Sequence, residues 1–198
     1  MEVMSKQTAT EPILSVRRIQ LEDIPPIVNY WTSASDAHLE RMGSDKTKLP
    51  NATQFQTDLQ HIYDTPDQEA KTFYSIWLVN NQAIGFSSLK NIAYGESGEM
   101  HLHIWNGDFR GKGYGPRLFC LSVLDFYKRF KLKKLKCEPR ASNPLPNRML
   151  QKIGFPLIDS FVGASSEISL VVELNRYDLP IGIAERYLAN VRPPVIQE

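Results

Sequence analysis

Apolar residues recur along this chain with two periods, and the two periods divide it into elements. Ile13 to Gln20 alternates well enough for a first strand, and Leu21-Glu22-Asp23 then turns the chain into a helix. Asp23 is placed to cap that helix, and Pro25 and Pro26 fall in its first turn, where a missing N–H costs little. Ile24, Ile27, Val28 and Trp31 have helical spacing. Residues 32–50 are polar and predict no element. Pro50 to Thr53 opens a second helix with Phe55, Leu59 and Ile62 on one face, ended by Pro66 and Asp67.

A run of strands follows. Phe73 to Val79 is aromatic and aliphatic, Asn80-Asn81 is a hairpin turn of residues that tolerate positive φ, and Ala83 to Ile92 returns. After a turn at Gly95 to Gly98, the segment Glu99 to Trp105 alternates, with Glu99, His101, His103 and Trp105 on one face and Met100, Leu102 and Ile104 on the other. Pro116 to Phe130 reads as a buried helix, Lys134 to Glu138 as a short strand, and Asn143 to Ile153 as a helix closed by Gly154. Phe155 to Val162 and Ile168 to Leu174 predict a last strand pair, and a short helix is expected around Ala184 to Leu188. This order predicts an α/β (mixed α+β) fold: a mixed, mostly antiparallel sheet of about seven strands with helices on both faces. Tight turns make 73–105 antiparallel, whereas the 99–138 unit has room for a parallel crossover. The expected organisation is a loose tail over 1–11, a domain over 12–176, and an extension over 177–198 with a short helix and a Pro-rich end.

Composition narrows the function classes. A net charge of +1 gives no global field for nucleic acid or an anionic membrane. The start is polar, and no apolar run approaches the roughly 18 residues of a membrane span. Cys120 and Cys137 fall in apolar segments and read as buried free thiols, so a reducing, cytoplasmic setting is expected. The basic run Lys128 to Lys136 suits a helix C-terminus and leaves a minor RNA-associated reading open.

The most informative segment is Trp105-Asn-Gly-Asp-Phe-Arg-Gly-Lys-Gly-Tyr-Gly-Pro116, between a strand and a helix. Closely spaced glycines let successive N–H groups point into one concavity, and the following helix adds unpaired N–H groups and its positive dipole end. Together these make a phosphate site, with Arg110 and Lys112 at its mouth. A P-loop needs Ser or Thr after Gly-Lys, and here Gly113 follows Lys112. A dinucleotide fingerprint needs a later third glycine and an early strand. Arg110-Gly111-Lys112-Gly113-Tyr114-Gly115 instead matches the Arg/Gln-x-x-Gly-x-Gly/Ala signature, and the chain resembles the GNAT acetyltransferases. The resemblance implies that this loop binds the pyrophosphate of acetyl-CoA as co-substrate, with no metal. It also implies that backbone groups near Ile104 and Trp105 hold the pantetheine where two strands splay apart.

A second match supports the first. Asn143 followed by Arg148-Met149-Leu150-Gln151-Lys152-Ile153-Gly154-Phe155 is similar to the family's second motif, which implies that Asn143, and less directly Asn147, meets the CoA arm. The pattern leans towards the ribosomal-protein N-terminal acetyltransferase branch. The usual Tyr four residues before the glycine is Leu150 here, and Tyr177 and Tyr127 are the substitutes considered. Attack on a thioester needs a neutral amine and hence a base. Glu99 is expected first and His103 second, with His101 on the same strand face. The acceptor, a small-molecule amine or a peptide N-terminus, is expected against residues 30–66, whose Asp36, Asp45, Asp58 and Asp64, with Trp31 and Tyr63, suit a cation. A CoA-binding module without catalysis stays an alternative, and monomer and homodimer are both left open.

Overall fold

Seven strands form one sheet in the order β1-β2-β3-β4-β5-β7-β6. The computed structural model describes residues 11–191. Most of the expected tail and the Pro-rich end lie outside them. In chain order the elements are β1 (Leu14–Arg18), α1 (Ile24–Thr32), α2 (Asp36–Met42), α3 (Ala52–Asp64), β2 (Phe73–Val79), β3 (Gln82–Ala93) and β4 (Ser97–Ile104). They continue with α4 (Tyr114–Phe130), β5 (Lys134–Cys137), α5 (Pro144–Ile153), β6 (Leu157–Gly163), β7 (Val172–Asp178) and α6 (Ile181–Asn190). Every pairing is antiparallel except β4 with β5, the crossover carried by α4.

Two apolar cores cover the two faces of the sheet. Strand β2 is buried throughout and feeds both. Phe73, Trp77 and Val79 meet α4 and α6, while Tyr74 and Ile76 meet α1 and α3. The indole N–H of Trp77 donates to Ser122 Oγ at 2.8 Å, which ties α4 to the sheet without leaving a buried donor unpaired. The β2–β3 hairpin turns on Asn80 and Asn81 at φ +49° and +63°, as their residue types predicted.

Four expectations change. Asp23 starts α1 but does not cap it: its carboxylate accepts from the backbone N–H of Gln20 and binds the Arg17 guanidinium. The polar stretch 32–50 holds α2, capped by Ser35, whose Oγ accepts from His38 N, and closed by Gly43 at φ +79°. The last strand is displaced, running over Val172–Asp178 in place of Ile168 to Leu174. Residues 164–171 bond elsewhere, since Leu170 N donates to Gly43 O and Asp45 N to Ile168 O, with a bridge between Ser44 and Ser169. The boundary expected at residue 176 therefore falls inside β7. Beyond it Tyr177, Leu179 and Ala184 are fully buried in the α4 core, so α6 is part of the domain.

Candidate active site

Strands β4 and β5 run together for only three pairs, the last joining Glu99 to Lys136. Beyond that point β5 pairs with β7, and the two strands part. The gap opens a cavity of about 570 Å³. His101 to Ile104 form one wall and Cys137 to Arg140 another. The glycine loop and the start of α4 close it on one side together with Asn143, Leu145 and Met149 of α5, and Tyr30, His38, Arg41, Met42 and Ser165 line the remainder.

The glycine loop has the shape its sequence required. Gly111 and Gly113 hold φ of +74° and +81°, and a Cβ at either would meet no atom within 4 Å. Their space is open and suits a ligand that approaches backbone. Gly113 starts α4 without any side-chain cap, so no side chain occupies the first helical N–H groups. Arg110 folds back, donating to the carbonyl of Ile104 at 2.5 and 3.2 Å. The Lys112 ammonium lies over the Phe109 ring at 5.4 Å.

Of the residues expected at the cofactor, Ile104, Arg110, Gly111, Gly113, Tyr114, Gly115 and Asn143 line the cavity. Trp105 does not; it packs on Phe86 at 5.9 Å on the α1–α3 side. Lys112 stays outside the lining, and Asn147 is spent within the protein. Its amide donates to the carbonyls of Arg140 and Asn143 and accepts from Asn175 Nδ2 and the Tyr177 hydroxyl. Asn143 caps α5, with Leu145 N donating to its Oδ1 at 3.4 Å.

Glu99, first in the sequence ranking for a base, is 3% exposed and lies at the root of the splay, outside the cavity lining. Burial would raise its pKa, but the neighbouring His101 and Lys136 outweigh that and hold it below the usual carboxylate range. Glu99 Oε1 stands 3.3 Å from His101 Nε2, and its Oε2 stands 3.4 Å from Lys136 Nζ. His101 does line the cavity. Its Nε2 is buried against the carboxylate, off the line of an ideal hydrogen bond.

His103 sits in a second network. Arg41 Nη2 stands 2.8 Å from His38 Nδ1, His38 Nε2 3.1 Å from the Tyr30 hydroxyl, and that hydroxyl 3.2 Å from His103 Nδ1. A guanidinium only donates. His38 Nδ1 must therefore accept, so neutral His38 carries its proton on Nε2 and donates it to Tyr30. The Tyr30 hydroxyl has one proton and also donates to Met42 Sδ at 3.2 Å, so its contact with His103 Nδ1 fits either tautomer of His103. The charges agree with neutral members throughout. Burial, helped by His101, Lys90 and His38, lowers the His103 pKa well below 6.5. Burial, with Arg41 and Arg110, lowers that of His38. Burial lifts Tyr30 to about 12 against the same two arginines.

The expected acid substitutes lie elsewhere. Tyr177 is buried between Asn147 and Gln151, and Tyr127 is not in the lining. Leu150, in the usual Tyr position, is fully buried. Tyr30 and Tyr114 are the tyrosines that line the cavity. Both cysteines are free and buried. Burial and the carboxylates of Glu99 and Glu138 push the Cys137 thiol up, which disfavours its thiolate.

The family model for the acetyltransferase (GNAT) domain matches residues 14–156. This chain belongs to the GNAT acetyltransferases. Solved structures with the same fold include RimL, a ribosomal L7/L12 alpha-N-protein acetyltransferase in complex with coenzyme A. It has a TM-score of 0.69 and 14% identity, covering 88% of this chain and 97% of that one. The spermidine N-acetyltransferase from Vibrio cholerae in complex with CoA and spermine gives 0.68 and 16%, covering 87% and 98%. The ribosomal-protein-S5-alanine acetyltransferase from Vibrio fischeri gives 0.66 and 16%, covering 84% and 92%. A sequence search of curated proteins finds no match. Such distant structural likeness shows a shared fold, and the family match adds the acetyltransferase domain to it. Among the described residues no helix of this GNAT protein is long and apolar enough to cross a membrane.

Proposed function

We propose that this protein transfers the acetyl group of acetyl-CoA directly to the primary amine of a small molecule or of a protein or peptide N-terminus. The observation that carries the reading is the parting of β4 from β5. It brings an uncapped glycine cradle and a carboxylate-backed histidine to one cavity.

The residues fit the co-substrate. Gly111, Gly113 and Gly115, with Tyr114 and the first N–H groups of α4, form the cradle for the pyrophosphate, and Arg110 adds charge beside it. Ile104 and Asn143 line the path of the pantetheine arm. Acetyl-CoA, when bound, supplies an acyl thioester that a neutral amine can attack. In this reading His101, backed by the Glu99 carboxylate, takes the proton of the incoming ammonium; the amide C–N bond then forms as the thioester C–S bond breaks and the thiolate departs with CoA. Glu99 is thus a positioning residue, itself held by Lys136. His103 lines the same cavity, joined to Tyr30, and burial favours its neutral form. The raised Cys137 thiol supports direct transfer with no enzyme-linked acetyl group. Relatives of the same fold are named for acting on protein N-termini and on spermidine, which supports an amine acceptor. Two buried free thiols suit a cytoplasmic setting.

The test is the thermal midpoint with and without acetyl-CoA, for the wild type and for Gly113→Glu. A ligand at about 100 times its dissociation constant adds roughly 2.7 kcal/mol of stability. A shift in the wild type that vanishes in the variant supports the reading. No shift in a folded wild type sinks it.

A further inference from the structure

The acid residues expected to receive a cationic acceptor are not in the cavity. Asp36 pairs with Lys46 on the surface, Asp45 bonds Thr47, Asp58 bonds Gln54 and Asp64 bonds Gln60. The side of the cavity built by α2 and residues 139–140 carries Arg41 and Arg140 instead, next to His38. The one carboxylate in the lining is Glu138, and it is already held by Lys136 Nζ at 2.8 Å and Arg176 Nε at 2.6 Å.

These arginines lack the carboxylate partner that four other arginines of this protein have. Arg17, Arg18, Arg129 and Arg176 each pair with an aspartate or glutamate. Among the described residues Arg41 and Arg140 do not. Arg41 spends one N–H on neutral His38, and Arg140 spends one on the backbone carbonyl of Glu40. The side chain of Arg140 lies along Gly43, at the end of α2. Two guanidinium groups with spare donors and no carboxylate partner among the described residues thus share one side of the open cavity.

We propose that the acceptor amine belongs to an anionic molecule, one with a carboxylate close to its free amine that Arg41 and Arg140 receive. A free amino acid and a peptide with an acidic residue beside its N-terminus both supply that chemistry, whereas a polyamine does not. The inference rests on the acetyl-transfer reading above.

The experiment measures acetyl transfer from acetyl-CoA by the full chain to matched acceptors. Amidated peptides differ only in glutamate, glutamine or lysine beside the free N-terminus, and free glutamate is set against glutaminamide. The acidic member of each set should win by about tenfold in kcat/KM, the size of one charge-assisted contact. The set with the larger kcat/KM shows whether the carboxylate comes from a free amino acid or a peptide. Arg41→Ala, and separately Arg140→Ala, should pull the acidic-to-neutral ratio towards one through the KM of the acidic acceptor, and Arg41→Lys should restore part of it. A neutral or basic acceptor that matches the acidic one overturns the inference. So do arginine variants that raise the KM for acetyl-CoA and leave the ratio unchanged. If no acceptor turns over, the same sets are titrated onto protein saturated with CoA, and equal binding within a set overturns it. Absence of any acetyl-CoA thermal shift is a separate result that removes the transferase reading itself.

Discussion

Glu99 Oε1 lies 3.3 Å from His101 Nε2, and only the histidine reaches the cavity. The two residues are successive positions on one face of β4, so the strand delivers both and burial separates their roles.

Replacing His101 by Ala is expected to lower kcat by about 10²–10⁴, the range of a lost general base. Glu99→Gln should cost less, because the imidazole remains while its orientation is loosened. Acetyl-CoA affinity, followed by calorimetry, should hold in both variants. Full activity in His101→Ala would remove His101 from the chemistry.

Acidification gives a second check. Glu99 has a lowered pKa in the fold, so its contribution is present above about 4.5 and is lost as pH falls through the lower folded value. His103 is also held below its ordinary 6.5. Below 6.5 the unfolded chain binds a proton that the folded imidazole refuses, so stability falls as pH drops from neutrality towards the folded pKa. His101, Lys90, His38 and Tyr30 surround it. Urea midpoints between pH 7 and 5 should decline for the wild type and less steeply for His103→Gln, the remaining slope including His38.

Tyr30→Phe should remove the hydroxyl that joins His38, Met42 and His103 and loosen the orientation of His103. The expected outcome is a fall in kcat of about tenfold or more, the usual scale for one oriented donor, with little change in thermal midpoint. Unchanged turnover would show that the orientation of His103 does not matter.

Gly85 stands where β3 crosses closest to β4. A Cβ there would lie 2.3 Å from the carbonyl oxygen of His103 and 2.9 Å from Ile104 Cα. Gly85→Ala must therefore displace the backbone that lines the cavity. We expect a loss of about 1–3 kcal/mol in chemical denaturation and a further drop in activity of the folded fraction.

Asn143 and Asn147 separate a binding role from a structural one. Asn147→Ala should cost about 2–3 kcal/mol by orphaning buried partners, yet leave acetyl-CoA affinity of the folded protein unchanged. Asn143→Ala should weaken affinity and lose only about 1 kcal/mol from its cap.

The parts legible in the sequence were those made by neighbours in the chain. The glycine loop, the Asn80-Asn81 turn and the β4 alternation each follow from backbone chemistry over a few residues. The crossover on α4 predicted the one parallel pairing. The acceptor side was not legible, because it depends on which distant groups meet. Nothing in residues 30–42 announces that Tyr30 and His38 will reach a histidine in β4. Aspartates counted along residues 30–66 say little when side-chain direction turns them to solvent and brings Arg140 in from beyond β5. The displaced strand has the same origin: Ile168 to Leu174 has a strand-like pattern, but its first residues bond the turn after α2.

That last contact joins two distant stretches of the chain. The glycine cradle is closed by residues 104–116, a single stretch of chain. On the other side, Met42 and Ser165 of the lining flank the junction where Gly43 to Asp45 meets Ile168 to Leu170. On the proposed function, loosening of that junction would disturb the acceptor side of the cavity before the glycine cradle. Under mild denaturant, selectivity between acceptors should therefore disappear before affinity for acetyl-CoA does.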